Sequence, residues 1–240
     1  MTEDKPGVMS GLVGMLNIFI DPAATARRIP AKLSWLWPLV TLSVIYAIFG
    51  YLLLPYTAGI ADAAIADRAV QQGMRPEQLE RAQSFAHMFS RIAVGFTPVF
   101  IIVMILLLAW VVSVMGSVTG ARAKYRDIFS LMAACSLIPA LQYIAAFIVV
   151  RVKGDEVHAV EQLTPPFGLD IFIQDLHGVA FAAVNFFSIF EIWYIVVLTI
   201  GLAHLTKSSK GKAFVTTAPV WILQLLLRVI QISFAPGGRS

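Results

Sequence analysis

IAVGFTPVFIIVMILLLAWVVSVMGSVTGA, residues 92–121, contains no Asp, Glu, Lys or Arg. A helix rises ~1.5 Å per residue, and ~20 apolar residues cross the hydrocarbon core of a bilayer. This run is long enough to cross with residues to spare. Residues 33–61 and 128–150 are likewise uncharged. Of the 240 residues, 58% are hydrophobic and 13% charged, and the mean hydropathy is +0.79. Soluble domains carry about 25% charged residues, so the solvent for most of this chain is lipid. The alternating segments of roughly ten residues that build a membrane β-barrel are absent from the sequence. The fold class is therefore all-α, a polytopic membrane helical bundle.

Five transmembrane helices are expected, at about 33–56, 92–118, 129–150, 179–206 and 213–234, within a membrane domain 33–234. Trp35 and Trp37 at the start of the first span, with Tyr51 and Tyr56 at its end, form an aromatic belt. Residues 1–32 form a cytoplasmic interfacial segment. Within it Val8, Leu12, Met15, Leu16 and Phe19 recur at helical spacing over 7–20, too short to span, which predicts an N-terminal helix lying in the interface plane. Asp21 can cap the next helix, and Pro22 suits its first position. The apolar run near the N-terminus imitates a signal peptide, but MTEDKPG lacks the positive region that a signal peptide carries. Residues 57–91 read as an external helical hairpin: ADAAIADRAVQQG is a short helix ended by Gly73, and Pro76 starts a second helix. Along that second helix Leu79, Ala82, Phe85, Phe89 and Ile92 form an apolar stripe leading into span two. Residues 151–178 are an external acidic loop broken at Pro165-Pro166.

Orientation follows from the loops. Arg27, Arg28 and Lys32 precede span one; Arg122, Lys124 and Arg126 lie between spans two and three; Lys207, Lys210 and Lys212 lie between spans four and five. With five spans these fall on one side. The opposite loops are balanced (57–91, four acids and four basics) or acidic (151–178, five acids and two basics). The positive-inside rule puts the N-terminus in the cytoplasm and the C-terminus outside. A net charge of +4 placed this way signals orientation and anionic lipid headgroups rather than nucleic acid. The single Cys135 cannot form an intrachain disulfide.

Catalytic signatures are missing: there is no HExxH, GxSxG, Walker loop or CxxC. No catalytic residue, metal or cofactor is assigned. His158, Glu161, Asp170, Asp175 and His177 match no known ligand spacing and read as a solvated loop. The pairs Gly7/Gly11 and Gly116/Gly120 fit close helix approach, read as local packing, with a homo-oligomer as the other reading. Pro98, Pro139 and Pro219 are expected to kink spans two, three and five. In span four Glu191 is the only charge, and in span five only Arg228. Each lies fifteen residues from the inner end of its span, Thr206 or Ala213, on antiparallel helices joined by a six-residue loop. A lone charge at mid-bilayer costs ~3 kcal/mol on insertion scales. An interhelical Glu191–Arg228 ion pair at mid-depth is the expectation. The alternative is a small transporter or channel working through an intramembrane Glu/Arg site.

Three stretches together are similar to a known family. NIFIDPAATARRIP (17–30) resembles the N-terminal segment of bacterial proteins with the Yip (Ypt/Rab-GTPase-interacting protein) domain, including Asp21-Pro22. GARAKYRDIFSLMAACSLIPAL (120–141) resembles the family's second cytoplasmic turn, with Tyr125-Arg126 and Pro139. FSIFEIWYIVVLTIGLAHLTKSSKGKAF (187–214) resembles its fourth span and last cytoplasmic loop, with Trp193 and Gly201. The resemblance runs in order over about 15–230. It implies a five-span bundle with a cytoplasmic N-terminus, in the bacterial branch a protein of the cell inner membrane. Eukaryotic members engage prenylated GTPases; this chain lacks the long N-terminal extension of many of them, and that partner is not carried over. The implied function is non-enzymatic: a membrane scaffold or adaptor organising protein partners or lipids at its cytoplasmic face.

Overall fold

The computed structural model describes residues 15–29, 35–153, 167–169, 172–173 and 178–234, with no strand among them. A 3-10 turn at Asn17–Phe19 leads into α1 (Pro22–Arg28). The long helices α2 (Leu36–Gln71) and α3 (Pro76–Thr119) follow. Then come α4 (Tyr125–Cys135), α5 (Leu137–Lys153), α6 (Gly178–Phe186), α7 (Ile189–Thr206) and α8 (Lys210–Phe234). Five stretches are long and apolar enough to cross a membrane: α2, α3, α4 with α5, α7, and α8 as far as Ile230. In the most apolar stretch of α3 only 28% of residues are buried, and Phe96, Val99, Phe100, Val103, Leu107 and Trp110 are exposed. Side chains of this kind face outward only where the surroundings are lipid. The chain is an all-α integral membrane protein with five spans.

Helix ends differ from the sequence reading in ways that local chemistry explains. The segment read as a separate helix at 61–73 is the continuation of α2. Pro55 lies inside α2 without ending it, and the alanine-rich stretch beyond favours helix. At 36 residues α2 is about 54 Å long, and α3, with 44, about 66 Å. Both exceed a ~30 Å hydrocarbon core. They are joined through Gly73, which turns at φ 61, while Met74 N–H donates to the Ala69 carbonyl (2.9 Å). Gln78 at the start of α3 reaches back to accept from Arg75 N–H (3.0 Å). The prolines do not act alike. α3 and α8 run through Pro98 and Pro219, whereas the third span breaks at Ser136. Pro139 has no N–H for the Cys135 carbonyl, and at the break the Met132 carbonyl accepts from both the N–H (2.9 Å) and the hydroxyl (2.8 Å) of Ser136.

The chain forms two compact units. One comprises residues 1–43, 100–140 and 190–224; the other comprises 44–99, 141–189 and 225–240. The first unit is packed around α7, the most enclosed span, half of whose residues are buried. Leu131, Met132, Ile138, Leu198 and Leu202 fill its core. Gly201 admits Leu131: a Cβ on Gly201 would lie 2.6 Å from Leu131 Cδ1. Several buried serine and threonine hydroxyls are satisfied locally. Ser130 donates to the Arg126 carbonyl, Thr217 to that of Ala213, and Thr199 shares a 3.2 Å hydrogen bond with Thr217. In the second unit α2 packs on α5 through two edge-on ring pairs, Tyr46–Tyr143 at 4.6 Å and Phe49–Phe147 at 5.6 Å. Val94 of α3 packs over Gly50 of α2.

Helix α7 ends on an unusual residue. Lys207 adopts φ 52, the left-handed conformation that favours glycine, and Ser208 N–H closes the cap on the Ala203 carbonyl (3.0 Å). A side chain there costs about 1 kcal/mol. Lys207→Gly is therefore expected to raise the melting midpoint in detergent by roughly 2–4 °C. An unchanged or lower midpoint would show that the lysine contributes more than its strain costs.

Candidate functional site

The basic residues gather at helix ends of the first unit. Arg27 ends α1 next to Arg28; Arg122, Lys124 and Arg126 flank the start of α4; Lys207, Lys210 and Lys212 bracket the turn between α7 and α8. All of these are exposed, Arg28 aside, whose side chain lies outside the description. Lys32 lies outside the described residues, as do Gly7/Gly11, the loop acids and histidines at 158–177, and most of the expected interfacial helix. The turn is shorter than the sequence reading: α8 begins at Lys210, so only Lys207, Ser208 and Ser209 connect the helices. Ser209 caps α8 by accepting from Lys212 N–H (3.3 Å). Lys212 reaches over the end of α3, where Gly120 turns at φ 78; a Cβ on Gly120 would lie 3.0 Å from Lys212 Nζ. An ammonium there opposes the negative end of the α3 dipole.

Gly116 has a different task from that of a helix-dimer motif. Its missing Cβ would lie 2.6 Å from the Ala121 carbonyl oxygen, so the absence of a side chain lets the chain fold back at the end of α3. Three residues on, Thr119 meets Thr216 of α8 at 2.7 Å. This is packing within the chain, the first of the two readings of the Gly116/Gly120 pair.

Glu191 does not lie in the middle of a helix. The segment read as one span, 179–206, is divided at Phe187–Ser188 into α6 and α7, and Glu191 occupies the first turn of α7. A helix N-terminus favours a carboxylate at this place. The fifteen residues to Thr206 correspond to about 22 Å, beyond the midpoint of a ~30 Å core. Arg228 lies six residues before Phe234, the last residue of α8. Glu191 thus stands at the start of its helix rather than in the middle of a continuous span. Glu191 is 7% exposed. Its neighbour Tyr194 carries a buried hydroxyl that has no hydrogen-bond partner among the described residues. In the second unit Arg228 Nη2 donates to Asn185 Oδ1 at 2.7 Å, and Asn185 is fully buried. Glu191 and Arg228 belong to different units.

The remaining motif positions each fix one local junction. Asp21 Oδ1 accepts from Ala24 N–H (2.8 Å) with Pro22 as the first residue of α1. Tyr125 donates its hydroxyl to the Leu106 carbonyl (2.8 Å), tying α4 to α3. Trp193 of α7 lies against Phe19 of the N-terminal 3-10 turn, ring centres 5.6 Å apart. Pro139 and Gly201 act as described above. Over this same stretch, residues 16–230, the Yip1 domain model matches the sequence. The chain belongs to the Yip1 family. Among curated proteins and among solved structures, none matches it.

One polar site of this Yip1 domain escaped the sequence reading. Asp62 of α2 and His87 of α3 meet across the second unit, His87 Nε2 lying 2.8 and 2.9 Å from the two carboxylate oxygens. They line a cleft of about 690 Å³ with Tyr51, Gly59, Ser90 and Arg91. The two residues are 25 apart in sequence, and no short-range pattern pairs them. The apolar stripe behind them faces outward instead: Phe85 and Phe89 are stacked and more than 60% exposed.

Proposed function

We propose that this Yip1-domain protein is a non-enzymatic scaffold or adaptor of the bacterial inner membrane, with a cytoplasmic N-terminus and an external C-terminus. The carrying observation is the exposure of Arg27, Arg122, Lys124, Arg126, Lys207, Lys210 and Lys212 at helix ends of a unit whose interior is apolar and packed. A packed helical unit that presents cations at its polar boundary suits the recruitment of acidic protein segments or anionic headgroups. We further propose that Glu191 and Arg228 form a structural ion pair.

Orientation is tested first, because the reading requires the basic turns to face the cytoplasm. Cys135 is fully buried, so a single introduced cysteine reports alone. Gln72→Cys is expected to react with a membrane-impermeant maleimide in intact spheroplasts, and Lys210→Cys only after permeabilisation. The reverse pattern ends the cytoplasmic-face reading. Proximity labelling from the C-terminus of α1 then tests recruitment. Changing Arg122, Lys124, Lys207, Lys210 and Lys212 to Gln together is expected to remove the labelled neighbours at unchanged protein level. Retention of the same neighbours would leave these cations with an orientation role only.

A further inference from the structure

The cleft at the base of the α2–α3 hairpin continues into a second one. The polar cleft holds the Asp62 carboxylate, the His87 imidazole and Ser90. Adjoining it, a groove of about 500 Å³ is lined by Ala47, Ile48, Leu52, Val94 and Gly95. Tyr51 and Arg91 line both. Along the helices the order is therefore acid and imidazole, then guanidinium, then an apolar trough. Arg91 is exposed, makes no ion pair among the described residues, and immediately precedes the uncharged run that begins at Ile92. That places its cation at the boundary between the polar layer and the hydrocarbon. The exposed Phe85 and Phe89 on the other face of α3 show an apolar surface reaching nearly the same level.

This sequence of groups is the inverse of an amine-bearing phospholipid. We infer that the second unit holds one phospholipid of the phosphoethanolamine class. Its phosphate meets the Arg91 guanidinium, its ammonium faces Asp62, and one acyl chain lies in the trough between Ile48 and Gly95. Charge complementarity selects the occupant: a phosphate matches the forked donors of arginine, and a carboxylate already close to an imidazole suits an amine rather than a second anion. Gly95 keeps the trough open, since nothing lies within 4 Å of the position its Cβ would take. The site is independent of the basic helix ends on which the proposed function rests.

Open space at Gly95 also supplies a variant that fills the groove without disturbing the packing. The test uses the full chain, stripped of lipid in detergent and titrated with phosphatidylethanolamine under native mass spectrometry. One lipid per chain is expected to bind. Arg91→Gln and Gly95→Phe are each expected to weaken that binding at least about tenfold at an unchanged melting midpoint, the loss of a charge-assisted contact in one case and of the chain's seat in the other. Wild-type affinity in both variants would overturn the inference, as would failure of the wild type to retain the lipid. Equal competition by soluble glycerophosphoethanolamine would overturn it too, by showing a headgroup site with no use for the trough.

Discussion

Replacing Glu191 with arginine is expected to reduce the yield of monodisperse protein severely, because the change does harm twice. It places a cation where a buried carboxylate stood, and it puts that cation at the N-terminus of α7, where the helix dipole favours an anion. Breaking a buried ion pair, as proposed here, by changing one partner costs about 3–5 kcal/mol; the place of Glu191 in the first turn of α7 argues for the lower figure, about 3 kcal/mol. Arg228→Glu is expected to be milder. Its partner Asn185 carries both a donor and an acceptor on its amide, so a rotated Asn185 can donate to the new carboxylate. The double exchange is then expected to recover most of the yield, though less than all, since the α7 terminus still prefers the acid. Size-exclusion recovery in detergent reads each case. If Glu191→Arg folds as well as the wild type, the ion pair is not structural, and proton or ion flux in liposomes becomes the relevant assay.

Gly116→Ala is expected to be the most damaging change of a single methyl group. The added carbon would lie 2.6 Å from a backbone oxygen, that of Ala121, which cannot move without opening the turn after α3. Overpacking of this kind costs roughly 2–3 kcal/mol, and the melting midpoint should fall by about 5–10 °C. Gly95→Ala is the control. It stands in the same helix with open space around it, so the usual helix preference for alanine should leave the midpoint equal or slightly higher. Equal loss in both variants would mean that the cost lies in helix flexibility and not in the contact with Ala121.

What could be read from the chain divides along physical lines. The five spans were legible because hydropathy sums over twenty residues, and no tertiary contact can reverse a sum of that size. Helix ends were less so. Hydropathy does not register the break before α7, although Ser188 and Glu191 stand at the spacing of a capping box, the local signal that separates a first-turn glutamate from a mid-span one. The end of span one was placed at the aromatic belt, yet Tyr56 sits inside a helix that runs to Gln71. A belt marks where the membrane ends, and a helix stops only where its backbone is capped. The meeting of Asp62 with His87 was not legible at all, because it depends on how two long helices are aligned, and each residue alone looks like a solvated polar side chain.

The turn at Lys207–Ser209 has a consequence for how the protein is made. Three residues reach only about 10 Å when extended, close to the 8–10 Å that separates the axes of packed helices. No slack remains for α7 to settle while α8 searches for its place. The two helices are therefore laid down as one hairpin, with the lysines at its turn. Order of synthesis and order of packing are thereby the same for α7 and α8.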